Sequence, residues 1–219
     1  MTTPFPLILI TSPEDFSDEH VLIEAMFRRG LERLHLRKPR KNIRAMERWI
    51  FDLDPAFRER VVVHGHDDLR TAFNLAGIHG EDSYSLHSCT ELLVFAQPCS
   101  YAFLSPIFPS FSKPGYNPAY TDTVFREGIK AWRAQKNHPV KQLYALGGID
   151  AERLNTVREW GFDGAAVLGA VWDAADPLGA WDLLHAERYR MVGLPVPNIP
   201  AIESWRDHLV HRRGDLAHE

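Results

Sequence analysis

Eight short apolar or β-branched runs recur along the chain, and nearly all are followed by a stretch with helical spacing. The runs are Leu7–Thr11, Leu34–Leu36, Val61–Val63 closing on His64, Gly77–His79, Tyr84–His87, Tyr101–Leu104, Gln142–Ala145 and Gly164–Leu168. Continuous apolar runs of this length read as buried parallel strands. Alternation on this scale within 219 residues predicts a closed (β/α)₈ TIM barrel. An open doubly wound sheet more often carries G-x-G-x-x-G after its first strand, and Thr11–Asp18 has none. The expected organisation is a single barrel domain over residues 1–190 and a C-terminal extension over 191–219. Strands four and five are separated only by a turn, although a parallel crossover normally takes a dozen or more residues. The barrel is therefore expected to be shortened there, without one helix.

The helices have readable ends. Ser17 is the expected N-cap of the first, acids fill its first turn, and Gly30 ends it. Ile43, Met46, Trp49 and Ile50 fall on one face of the second. Further helices are expected at Leu69–Leu75, Thr90–Ala96 (capped by Ser88 or Thr90), Asp122–Ala134, Ala151–Trp160 and Trp181–Tyr189.

Active sites of such barrels lie at the C-terminal strand ends. Thr11, Arg37, His64, His79, His87, Ser105, Gly147 and Gly169 stand there. Arg37 and Lys38 are expected to converge with Lys113 on one mouth. Lys113 closes the loop FLSPIFPSFSKPGY, which Pro106, Pro109 and Pro114 stiffen. A fixed cation beside Ser110 and Ser112 suits a phosphate or diphosphate, although a solvated surface loop has the same composition. Gly147, Gly148 and Gly169 follow strands seven and eight, where barrels often bind phosphate through backbone amides. The histidines after strands three to five suit either a metal or a neutral hydrogen-bonded wall, and the sequence leaves both open. Cys89 is expected in the core. Net charge is −4, with no basic footprint for nucleic acid, and no run reaches membrane-spanning length. Two cysteines without metal spacing, and no leader-like N-terminus, lead us to expect a reducing cytoplasm.

The motifs LILIT at Leu7, HLRK at His35, SLHSCTE at Ser85, SPIFPSFSKPG at Ser105, ALGGI at Ala145 and GAAVLGAVW at Gly164 together resemble the thiamine phosphate synthase and thiazole tautomerase superfamily, over roughly Pro6–Trp181. The resemblance implies a TIM barrel and a transferase of thiamine biosynthesis. Its reaction couples hydroxymethylpyrimidine diphosphate to thiazole phosphate and releases pyrophosphate. It further implies that Arg37 binds the diphosphate, with Lys38 and His64 beside the substrate. Ser85 would lie near the pyrimidine, and Ser110, Ser112 and Lys113 would hold thiazole and pyrophosphate oxygens. Gly147, Gly148, Leu168 and Gly169 would meet the thiazole phosphate. The family cofactor is Mg²⁺. The expected partners are small phosphorylated substrates, not nucleic acid or membrane, and a homodimer is left open as the assembly.

The family's Asn-Asp-Arg after strand three is His64-Gly65-His66 here, so Gly65 stands at a metal-ligand position. Asp82 or Glu81 is the expected replacement acid. Three rival readings follow. One is a thiazole tautomerase with His64, His66 or His87 moving the proton. Another is a non-catalytic phosphate-binding barrel without the Mg²⁺ site. The third is a sugar-phosphate epimerase with His35 and His64 on a metal.

Overall fold

The computed structural model describes residues 3–16, 18–109 and 121–198. Its centre is a closed parallel barrel in which each strand pairs with the next and β8 returns to β1. The strands are β1 Leu7–Ile10, β2 Arg33–Leu36, β3 Val61–His64, β4 Gly77–His79, β5 Ser83–Leu86, β6 Tyr101–Leu104, β7 Leu143–Leu146 and β8 Gly164–Val167. The helices are α1 Glu19–Arg28, α2 Ile43–Asp52, α3 Pro55–Arg58, α4 Asp68–Phe73, α5 Cys89–Val94, α6 Asp122–Arg133, α7 Leu154–Glu159, α8 Gly169–Trp172 and α9 Pro177–Arg190. The architecture is the predicted (β/α)₈ barrel. The short helices α3 and α8 were not foreseen. Pro55 and Asp54 start α3, with the Asp54 side chain accepting from Ala56 N.

Strand alternation sorts every side chain. Leu7, Leu9, Leu34, Leu36, Val61, Val63, Ile78, Leu86, Leu104, Leu143 and Val167 point outward into one apolar layer beneath the helices. Burying each such side chain contributes roughly 1.5–3 kcal/mol, and this layer holds the helices to the barrel. The positions between them point inward. From β6 through β8 to β1 the interior is apolar and aromatic: Tyr101, Phe103, Tyr144, Ala166, Ile8 and Ile10. From β2 to β5 the inward positions are Arg33, His35, Val62, His64, Gly77, His79, Ser83 and Ser85. One half of the barrel interior is thus mostly polar, and its polar groups cluster toward the C-terminal strand ends.

The shortened segment is real. β4 and β5 pair in parallel through the single register His79↔Ser83, so β5 begins at the level where β4 ends. No return along the barrel is required, and a turn replaces the crossover helix. Its hydrogen bonds run from Gly80 N to Ser83 O at 2.7 Å and from Asp82 N to Ile78 O at 2.9 Å.

Several local expectations are refined. Ile43 is 38% exposed, so α2 buries Met46, Trp49 and Ile50 only. Ser88 caps α5, its hydroxyl accepting from Glu91 N at 2.9 Å. Cys89 is buried, with Gly128 of α6 packed against its sulfur. Ser17, the expected N-cap of α1, lies outside the described residues, as does the extension from residue 199 onward. No helix among the described residues is long and apolar enough to cross a membrane.

Candidate active site at the barrel mouth

Three imidazoles meet inside the polar half. His64 and His79 are in register at the ends of β3 and β4, and their rings stack at 4.2 Å. His35 comes from β2, fully buried, with Nδ1 2.9 Å from His64 Nε2. Its other nitrogen, Nε2, meets the Tyr101 hydroxyl at 2.5 Å. His79 Nδ1 lies 2.9 Å from the Ser83 hydroxyl, and the Ser85 hydroxyl lies 3.2 Å from His79 Nε2. Burial disfavours the charged form of each ring. It drives His35 well below the usual histidine range, with help from His64 and His79. It takes His64 to about 3 and His79 to about 4, with the Arg37 charge adding to both shifts. All three rings are therefore neutral at physiological pH. Burial also pushes the Tyr101 hydroxyl up, so it remains a proton donor.

Arg37 continues β2 two residues past His35 and is exposed at the rim. Its backbone is fixed by Thr11: Arg37 N donates to Thr11 Oγ1 at 2.9 Å, and that hydroxyl donates to Arg37 O at 3.1 Å. Lys38 is displaced from its expected place. Alternation turns it away from the mouth, and its amine meets Glu19 at 2.8 Å and Glu14 O at 2.7 Å. Glu19 also accepts from Trp49 Nε1 at 3.0 Å. Lys38 therefore joins a buried ion pair behind the wall.

A thiamine monophosphate synthase family model matches residues 83–171. Thiamine phosphate pyrophosphorylase from Bacteroides thetaiotaomicron superposes with a TM-score of 0.68 at 31% identity, covering 83% of this chain and 96% of that one. The chain belongs to the thiamine monophosphate synthase family. The thiamine-phosphate synthase of Desulfitobacterium hafniense is 26% identical over 207 residues, covering 82% of this chain and 95% of its relative. The Pyrococcus furiosus thiamine phosphate pyrophosphorylase, at 22% identity and a TM-score of 0.67, shares the fold. The chain spans about half the length of three other curated thiamine-phosphate synthases that it matches.

Within the thiamine monophosphate synthase frame, His64 and Ser85 meet His79, Arg37 stands on the rim with its charge lowering the His79 pKa, and Lys38 does not join them. Gly147 and Gly148 follow β7 with φ of 101° and 63°. Their carbonyls hold neighbours: Phe108 N donates to Gly147 O at 3.1 Å, and Arg153 to Gly148 O at 2.7 Å. A side chain on Gly148 would lie 2.4 Å from Pro109 O, so this glycine lets the β6 loop press against the β7 turn. Leu168 and Gly169 open α8, which Trp172 ties across to β1 through Nε1 and Ile10 O at 2.8 Å. Ser110, Ser112 and Lys113 lie outside the described residues. His87 is exposed, its ring 3.3 Å from Ser105 O, apart from the trio.

The described residues do not fit Mg²⁺, a hard cation that prefers carboxylate and phosphate oxygens. Gly65 offers no side chain at the end of β3. Asp82, the expected substitute, is committed elsewhere: its Oδ2 accepts from Ile78 N at 2.9 Å and pairs with Arg70 at 3.4 Å. Glu81 is 4.0 Å from the same arginine. Sequence reasoning left the metal ligands unknown and offered Asp82 or Glu81 as candidates; the Asp82 carboxylate instead closes the β4–β5 turn. The same reasoning missed Tyr101, Ser83 and the joining of His79 to the His35–His64 pair. The inward phase shared by these positions was the available signal.

Proposed function

We propose that the chain catalyses thiamine phosphate synthesis from hydroxymethylpyrimidine diphosphate and thiazole phosphate. The observation that carries this reading is the link through His79. The arginine of HLRK acts on that imidazole, and the same ring hydrogen-bonds Ser85. The positions that the resemblance assigns to the diphosphate and the pyrimidine thus stand at the same mouth, Arg37 on the rim after β2 and Ser85 on the His79 ring.

In this reading Arg37 holds the diphosphate oxygens and meets the charge that grows as the C–O bond breaks. Ser85, kept in place by His79, orients the pyrimidine. The thiazole nitrogen attacks the methylene carbon, and pyrophosphate leaves with the bonding electrons. The turns at Gly147–Gly148 and Leu168–Gly169 take the thiazole phosphate. Ser110, Ser112 and Lys113 supply the remaining oxygen contacts. The family generally uses Mg²⁺, but the described residues do not fit it, and no step here depends on it. Cys89 and Cys99 are free and buried, which supports a cytoplasmic setting.

A tautomerase would have a base at the mouth. His64, held to about 3, is too weak to take a proton from carbon near neutral pH, which removes it as the base of a tautomerase. The purified protein is expected to release pyrophosphate only when both substrates are present. Arg37→Ala is expected to lower that rate by about 100-fold or more. Tight binding of both substrates without any release would reject catalysis in favour of a phosphate-binding barrel.

A further inference from the structure

We propose that His35, His64 and His79 form a binding site for a borderline divalent transition metal, typified by Zn²⁺, with a fourth position open to the mouth. Each residue offers one ligand nitrogen, and the three nitrogens lie within 4.8 Å of one another. Among the described residues this is the one such trio of metal-capable side chains. Zn–N bonds of about 2.0–2.1 Å in a tetrahedron set the nitrogens about 3.3 Å apart. The closest pair, His35 Nδ1 and His64 Nε2, stands at 2.9 Å. It opens by about 0.4 Å to admit the ion, and His79 closes inward by small ring movements.

The surroundings match what a metal-bound imidazole uses. A ligating histidine is generally held through its second nitrogen by a hydrogen-bond partner that fixes the ring. Here the Tyr101 hydroxyl sits on His35 Nε2 and the Ser83 hydroxyl on His79 Nδ1, so the ion takes His79 Nε2 and displaces the Ser85 hydroxyl from it. One hydroxyl comes from β5 within the polar half and the other from β6 beside it, so the rings are already aimed. Three neutral nitrogen donors suit zinc, cobalt or copper over magnesium. The trio contains no carboxylate, so a bound divalent ion keeps its full charge beside Arg37. The fourth ligand is accordingly an anion, and a phosphate or diphosphate oxygen fits that position. The site also accounts for the Mg²⁺ misfit: the hard oxygen ligands are gone, and softer nitrogens stand on neighbouring strands. The inference does not depend on the reaction proposed above, because metal binding is read without turnover.

The test uses the untagged full chain stripped with a chelator. Calorimetry is expected to show one equivalent of Zn²⁺ bound, with no comparable Mg²⁺ binding. Co²⁺ should give the intense visible absorption of a tetrahedral site. His64→Gln and His79→Gln should each weaken Zn²⁺ binding at least tenfold, while His66→Gln and His87→Gln leave it unchanged. Tyr101→Phe keeps all three ligands and should weaken binding by about tenfold. Inorganic pyrophosphate should tighten Zn²⁺ binding, and Zn²⁺ should tighten pyrophosphate equally. The proposal is overturned by substoichiometric Zn²⁺, by an octahedral Co²⁺ spectrum in the wild type, or by unchanged affinity in both cluster variants. Circular dichroism checks their folding. The wild-type Co²⁺ spectrum decides alone if either variant unfolds.

Discussion

Replacing Glu19 with Gln tests whether Lys38 is structural. The side chains of Lys38 and Glu19 are 1% and 2% exposed, and their charged atoms meet at 2.8 Å. Glu19 also accepts the Trp49 indole N–H at 3.0 Å, so the carboxylate joins β2's extension to α1 and α2. Glu19→Gln retains the shape and most of the hydrogen bonding but leaves the lysine charge with Glu14 O and the more exposed Asp15 at 3.4 Å. Breaking a buried pair in this way costs about 3–5 kcal/mol. For a chain of this size each kcal/mol moves Tm by about 2–4 °C, so the expected drop is roughly 6–20 °C. Urea unfolding followed by tryptophan fluorescence and far-UV circular dichroism measures the change. The double variant Glu19→Leu/Lys38→Met removes both charges and should recover most of the loss. Pyrophosphate affinity of the folded fraction should stay near wild type. A loss under about 1 kcal/mol in Glu19→Gln, or a large loss of pyrophosphate affinity in a stable Lys38→Met variant, would refute the structural assignment.

Gly148→Ala places a β-carbon 2.4 Å from Pro109 O at a backbone φ of 63°. It is expected to destabilise the fold by roughly 2 kcal/mol and to weaken anion binding at the mouth; an unfolding midpoint within error of wild type would show that the β6 loop does not rest there. His185 is buried under Gly30, and burial followed by the Arg188 charge lowers its pKa from 6.5 to about 4. Its folded pKa lies below the unfolded value, so the unfolded chain takes up the extra proton first as pH falls. Stability is therefore lost from pH 6.5 toward about pH 4, at up to about 1.4 kcal/mol per pH unit from this residue. His185→Gln should flatten that slope in pH-dependent urea titrations, and an unchanged slope would reject the account.

The family motifs were legible because they are local. HLRK, the SPIFP loop and the glycines after β7 and β8 are short runs whose residue types state a job. The glycine turns show the limit of such reading. Gly147 and Gly148 suggested amides for phosphate, and the structure adds a mechanical role in seating Phe108 and Pro109. Lys38 was misplaced by reading consecutive residues as one cationic pair. Strand alternation, already visible in His35 and Leu36, sends neighbours to opposite faces, so Arg37 and Lys38 cannot share the mouth. Asp82 was misplaced for another reason. A carboxylate in a tight turn is drawn to the nearest free backbone donor, here Ile78 N.

The sequence by itself determined the barrel. Strand and helix periods are set by residues a few positions apart, and their eightfold alternation closes in one way. It also determined the missing β4–β5 helix, since chain length alone forbids one. Only the tertiary structure decided what the interior contains. His35, His64 and His79 are 29 and 15 positions apart in sequence, and they meet because the strand registers Leu36↔Val63 and His64↔His79 bring their inward positions together. Register is a property of paired strands, fixed by packing around the whole barrel rather than by any one segment.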